Sequence, residues 1–320
     1  MPYVKSSEQA NYDIALSYTQ PHNWGEYTRN ARNRYVIWNY EYCLSKAAKK
    51  GTLLPGFGKH HKDVDLVFPS SKFSKQVFLD MGVPDDKLVV VPHGFNTDEF
   101  LNKENKWKLK TKKSKKILLN LNQPHVRKAI PLALEAYGKA FKKEDDVCLV
   151  AKVYTKNSKK QQFDVDFYKL LKDFKKKYKN HAEIEVVTDY ITNIADLYNA
   201  CDINFTATHA ECYHLPSAEA IASGLINIVP NYGGQLDFCN EENSLLIEGS
   251  EVRAPRNAQY WLYNAHAVHY KIDVKDAAEK LREAVFNHDE VKSRLSQNRE
   301  EFIKNNSWDV FAQQIIDLAK

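Results

Sequence analysis

Short apolar runs alternate with amphipathic stretches along most of the chain, and a parallel sheet with helices laid on its faces satisfies that alternation. IALSY (14–18), RYVIWNY (34–40), VDLVFPS (64–70) and KLVVVPHG (87–94) read as strands of a first series. SSKFSKQVFLDMG (70–82) reads as a helix between the last two, with Ser70 or Ser71 to cap its start and Gly82 to end it. A polar, lysine-rich stretch from about 101 to 115 separates these from a second series. There KILLNLN (116–122), DVCLVAKVY (146–154), AEIEVVTDY (182–190), DINFTAT (202–208) and LINIVPN (225–231) read as strands. The intervening patterns predict helices at about 128–142, 163–178, 193–200 and 216–223. A chain of 320 residues has room for two such units, each with its own core.

Charge and cysteine content bound the partners. The net charge of +5 is mild, and the lysines of 106–116 and 172–180 read as a solvated linker and a solvated helix face. No nucleic-acid partner is expected, and at most a peripheral membrane contact. Cys43, Cys148, Cys201, Cys212 and Cys239 form no CxxC pair and no zinc spacing, so reduced thiols are expected. No stretch has signal-peptide character or the length to span a bilayer, and the expected location is cytoplasmic.

The chemistry concentrates in HAECYHLPSAEAIASG (209–224). Glu211 falls in the loop after strand DINFTAT, and Glu219 falls one turn inside the following helix. Doubly wound sheets bind ligands beyond the carboxyl ends of their strands, where this loop lies. Pro216 and Ser217 open the helix, whose unpaired N–H groups and positive dipole end suit an anion. Arg127 and Lys128, after strand KILLNLN, reach the same end of the sheet and could neutralise a diphosphate. Taken singly, each has a plainer reading: a chance glutamate pair, surface cations, and His214 as a packed loop residue.

The run HAECYHLPSAEAIASGLINIVPNYGGQLDF resembles the Glu-x7-Glu donor-site segment of retaining GT-B glycosyltransferases, of the kind grouped in glycosyltransferase family 4. SSKFSKQVF, VVVPHGFNTDEF, NQPHVRKAI, ITNIADLYNACDINFTA and SWDVFAQQI resemble further family segments, in the family's order. The implied fold is α/β of GT-B type, two Rossmann-like domains facing a cleft, the N-terminal one truncated. Residues 1–102 would be that shortened acceptor-side domain, 103–304 the nucleotide-sugar-binding domain, and 305–320 a helix packing back toward the first.

The resemblance assigns Glu219 to the donor ribose and Glu211 to the transferred sugar. Cys212, Tyr213, His214 and Leu215 would approach sugar and phosphate through backbone N–H groups, Arg127 and Lys128 would hold the diphosphate, and the base would lie near Thr188 to Ile191, beside Tyr190 and Ile191. The implied activity is transfer of a hexosyl unit from a nucleoside-diphosphate sugar to a glycan, glycoconjugate or small-molecule hydroxyl, by a front-face route that retains configuration. Fixed positive charge on the leaving phosphate stabilises that transition state without a divalent metal, and no cofactor beyond the donor substrate is implied.

Two departures from the family pattern stand out. Cys212-Tyr213 follows Glu211 where relatives usually carry Gly-Phe or Gly-Tyr, so a side chain could narrow the approach to the sugar. YDIALSYTQPHNW (12–24) resembles a segment that relatives place after their first strand-loop units, so a shortened acceptor domain is expected, which a partner chain could complete. On that side His22, Trp24, Asn39, Tyr40 and Glu41 are candidates to face the cleft. Glu41 lies near where relatives carry a sugar-positioning histidine, or else pairs with a nearby arginine, and His93 and Gly94 would shape the hinge loop. Rival readings are a GT-A enzyme using DVD at 63–65 or 164–166 as a metal motif, a GT-B sugar-nucleotide epimerase, and a non-catalytic or partner-dependent subunit.

Overall fold

The computed structural model describes residues 11–45, 48–49, 52–154, 165–256, 265–296 and 298–319. In the first series β1 (Tyr12–Tyr18) and β2 (Ala31–Ile37) pair in parallel, from Tyr12 opposite Ala31 to Tyr18 opposite Ile37. A short α1 (Trp24–Thr28) connects them. β3 (Cys43–Leu44) and α2 (Pro55–Gly58) follow, then β4 (Leu66–Val67), which joins the sheet beside β2 to give the order β1-β2-β4. α3 (Lys72–Asp80) starts at Ser71, whose hydroxyl accepts the Ser74 N–H, and the chain turns at Gly82 with φ 87°. KLVVVPHG, expected as a strand, forms only a single bridge from Leu88 to Val67 before α4 (Thr97–Leu101). The Val89 and Val91 N–H groups donate to the Val67 and Pro69 carbonyls, but Pro69 has no N–H to return, so the pairing does not develop into a continuous ladder.

The second series is more regular. β5 (Lys115–Asn122), β6 (Val147–Val153), β7 (Glu183–Val187), β8 (Ile203–Phe205), β9 (Ile226–Pro230) and β10 (Leu245–Ile247) form an all-parallel sheet in the order β10-β9-β8-β5-β6-β7. α5 (Ile130–Ala140), α6 (Phe167–Lys177), α7 (Ala195–Asn199) and α8 (Leu215–Ala222) are the crossover helices. β6 is buried at every position, as a strand covered on both faces must be. The strand order reverses between β5 and β8, and that switch point opens a crevice at their carboxyl ends.

Of the elements beyond β9, only the terminal helix was expected from the sequence. β11 (Gly249–Arg253) and β12 (Ala267–Ile272) pair antiparallel, and β12 also pairs with β3, Ala267 opposite Leu44 and Val268 opposite Cys43. One small sheet therefore carries strands from both halves. Buried Asp80 fixes its outer member by accepting the Leu44 N–H at 2.8 Å. α9 (Val274–Phe286) packs on α5, and α10 (His288–Leu295) and α11 (Arg299–Asn305) lead to α12 (Trp308–Asp317). α12 lays Ile315 against Tyr35, Ile37, Phe68 and Val91 of the first series, and the Tyr35 hydroxyl donates to the Leu318 carbonyl at 2.7 Å. All five cysteines are buried free thiols. Among the described residues no helix is long and apolar enough to cross a membrane.

Candidate functional site

β5 and β8 end side by side at the switch point, so the segments that leave them must meet. After β5 the chain makes a tight turn over Val126–Lys128, held by the His125 ring accepting the Arg127 N–H at 3.0 Å. After β8, the His209 N–H donates to the Arg127 carbonyl at 2.8 Å, which fixes the two loops against each other. The result is a charged cluster on one atom. Glu211 Oε1 lies 2.6 Å from Arg127 Nη1 and 2.7 Å from Lys128 Nζ, and it accepts the Thr208 hydroxyl at 3.1 Å. Arg127 Nη1 also donates to the Ala210 carbonyl at 2.7 Å, and its Nη2 lies 3.3 Å from Glu41 across the cleft. Glu211 Oε2 has no partner among the described residues.

The electrostatics follow from burial and pairing. Burial pushes the Glu211 carboxyl up, but the charges of Arg127 and Lys128 outweigh it and hold the group well below the usual carboxylate range. For Arg127, burial works against the charge, and Glu211 and Glu41 overcome it, so the guanidinium stays ionised. Burial pushes His214 down to about 3, leaving a neutral ring whose Nδ1 sits 2.6 Å from the Ser217 hydroxyl.

His214 takes a left-handed backbone, φ 73°, at the entrance to α8, a conformation uncommon for a side chain with a Cβ. The N–H groups of Tyr213, His214 and Leu215, at the start of α8, bond to no other described residue. Gly233 and Gly234 hold this loop from below. Gly234 donates its N–H to the Glu211 carbonyl at 2.8 Å, and a Cβ added there would stand 1.7 Å from the Cys212 carbonyl oxygen. The same Cys212 oxygen accepts the hydroxyl of Ser71, so the cap of α3 is bonded to the acidic loop.

Glu219 lies a turn farther on, half-buried, with Oε2 accepting the Tyr198 hydroxyl at 2.8 Å. Tyr198 in turn accepts an N–H of Asn120 at 3.1 Å. Burial raises the Glu219 carboxyl to about 7, against the opposing pull of the Tyr198 bond. The sequence reading gave no site role to Tyr198, Asn120 or the Gly233-Gly234 pair, and it took Ser71 only as a candidate helix cap. Only the glycine pair left a sequence signal, a doubled glycine where backbone must pass close to backbone.

The remaining candidates divide. Ile191 is buried in an apolar cluster with Tyr198, while Tyr190 is 80 % exposed. Leu215 packs against that same cluster. Tyr213 turns its side chain inward, with its ring 5.5 Å from His93 and its hydroxyl donating to Asn306 at 3.0 Å, so only its backbone serves the crevice. The Cys212 thiol donates to the Tyr40 carbonyl at 3.3 Å, in the first series. From the first series Glu41 reaches Arg127, and Asn39 donates to the Tyr18 hydroxyl at 3.1 Å while accepting from Ser70. Trp24 does not face the cleft. It is fully buried, its indole N–H donates to the Thr19 carbonyl, and it packs beside Phe78 as a core residue. His22 is exposed and lies edge-on to Phe57 at 6.3 Å. Gly94 lets its loop touch the start of α12: a Cβ there would lie 2.6 Å from the Trp308 Cα. Of the two DVD runs, Asp63 bonds His60, Asp65 bonds Arg34 and Asp166 caps α6, while Asp164 lies outside the described residues.

No protein-family model matches the sequence, and no curated protein matches it. Solved structures do. Sucrose-phosphate synthase from Thermosynechococcus elongatus superposes with a TM-score of 0.68 at 17% identity, over 95% of this chain and 72% of that one. HepE from Anabaena, solved with UDP and glucose, gives 0.67 at 15% identity, over 94% and 77%. A chain of the GtfA/B complex gives 0.65 at 14% identity, over 97% and 57%. Agreement over nearly the whole chain shows the fold, which is α/β of GT-B type.

Proposed function

We propose that the protein is a glycosyltransferase of the family 4 kind that moves a hexosyl unit from a nucleoside-diphosphate sugar to an acceptor hydroxyl, with retention of configuration and without a metal. The observation that carries this reading is the convergence of Arg127 and Lys128 on Glu211 at the switch point of a GT-B fold, with Glu219 eight residues along. The donor diphosphate takes the cations and the free N–H groups of Tyr213, His214 and Leu215. Glu211 Oε2 and Glu219 Oε1, neither with a partner among the described residues, accept sugar and ribose hydroxyls respectively. In the transfer the C1–O bond to the diphosphate breaks and a bond from C1 to the acceptor oxygen forms on the same face. The acceptor's proton passes to the departing phosphate. Negative charge grows on that phosphate, where two fixed cations and the end of a helix dipole stabilise it.

Solved complexes of one structural neighbour favour this donor class: HepE was solved with UDP, with UDP and glucose, and with UDP-glucose. The partner-dependent reading has one supporting observation. Among the described residues nothing pairs with the outer edge of β1, where Tyr12, Leu16 and Tyr18 are exposed, an edge that a second chain could extend. The test is thermal-shift binding of UDP, GDP and ADP to wild type and to Glu219→Ala. A shift with one nucleotide that the substitution abolishes supports the donor site and names the base; no shift with any refutes a donor site formed by this chain alone.

A further inference from the structure

Arg127 is shared between two carboxylates that arrive from opposite halves of the molecule. Glu211 is held by three groups on one oxygen, two of them charged and within 2.7 Å. Glu41 makes one ion pair with the guanidinium, at 3.3 Å, longer than a well-formed charge-assisted bond of about 2.8 Å. The two faces of the guanidinium are therefore unequal. Nη1 is committed to Glu211 and the Ala210 carbonyl. The opposite edge, Nε and Nη2, is the fork with which arginine grips a phosphate, and here Nε is buried with no partner and Nη2 has only Glu41.

Arg127 and Lys128 supply two positive charges, and Glu41 and Glu211 supply two negative ones, so the four groups are neutral together. A diphosphate entering this cluster meets cations that are already compensated, and the loosest compensation is Glu41. We infer that Glu41 is a competing counter-ligand: it occupies the phosphate-binding edge of Arg127 when the site is empty, is displaced when the diphosphate arrives, and returns as the nucleotide leaves. This inference rests on the nucleotide-sugar reading above. It makes Glu41 a residue that sets nucleotide affinity and release. The displaced carboxylate stays on the acceptor side, near Tyr18 and Cys212, both of which its charge affects.

The experiment is calorimetric titration of UDP, GDP and ADP, and of inorganic pyrophosphate, into wild type, Glu41→Gln and Glu41→Ala, with stopped-flow measurement of nucleotide dissociation. Removing the competing charge is expected to tighten the nucleotide that wild type binds by about tenfold, and to slow its dissociation. Pyrophosphate is expected to tighten by a similar factor, because the competition is at the phosphates and not at the base. A residue with a merely structural role would weaken binding on removal. Unchanged or weaker binding in both variants, with wild type binding normally, overturns the inference alone. Wild type that binds none of the ligands overturns the nucleotide reading and this inference with it.

Discussion

Replacing Glu219 with glutamine removes a carboxyl that burial holds near neutrality, and the stability consequence can be worked out with its sign. The group moves from 4.5 to about 7 on folding. Between those values the folded protein keeps a proton that the unfolded chain has lost, so stability falls as pH rises through the window and stays lower above it. A shift of that size corresponds to a ceiling of about 3 kcal/mol. Glu219 is only half-buried, and solvent screening brings the expected effect down to about 1 kcal/mol. Urea unfolding of wild type and Glu219→Gln at pH 5 and pH 8 measures it. The difference should move in favour of the variant by about 1 kcal/mol on going to pH 8. A difference that is flat over this range, or that moves toward wild type, refutes the burial argument. The ligand side has the opposite sense: ribose hydroxyls donate best to an ionised carboxylate, so wild-type UDP affinity should rise as pH passes about 7, with proton release on binding.

Gly234→Ala should displace the 211–215 loop, because its Cβ would stand 1.7 Å from the Cys212 carbonyl oxygen; a loss of about 2 kcal/mol in urea unfolding, together with the loss of any UDP thermal shift, is expected. Glu211→Gln leaves Arg127 and Lys128 without their shared carboxylate, and should cost about 3 kcal/mol of stability and lower sugar transfer at least about a hundredfold in a coupled assay. Trp24→Ala opens a cavity in the first core and should lower stability by about 4 kcal/mol, while the fraction that remains folded binds UDP with a Kd within about twofold of wild type.

The second sheet was legible because strands such as β6 and β9 are buried at every position and announce themselves as largely apolar runs. Arg127, Lys128 and Glu211 could be brought together from sequence because strand ends in a parallel sheet share one edge. What stayed hidden depends on long-range pairing. β3 is two residues long and has no pattern of its own, so nothing local predicts its bond to β12. KLVVVPHG has the composition of a strand, and its ladder is interrupted by Pro69 of the neighbour it must pair with, which nothing within the segment itself reveals. Trp24 follows a strand and looked ready for a cleft, but a large ring beside a small sheet is better used as its core. The Tyr198 bond to Glu219 joins a helix to another 21 residues on, and a tyrosine on an apolar face gives no sign of what its hydroxyl will reach.

The strand shared between the halves bears on the order in which the chain can fold. Cys43 and Leu44 find their partners only when Val268 and Ala267 exist, roughly two hundred residues later in synthesis, so this contact has a high sequence separation and forms late. The first half leaves the ribosome with this strand unpaired and with the place of α12 on Tyr35 and Phe68 still open. Expression of residues 1–102 alone should therefore give an aggregation-prone fragment, and its solubility should depend on the last fifty residues of the chain as much as on its own.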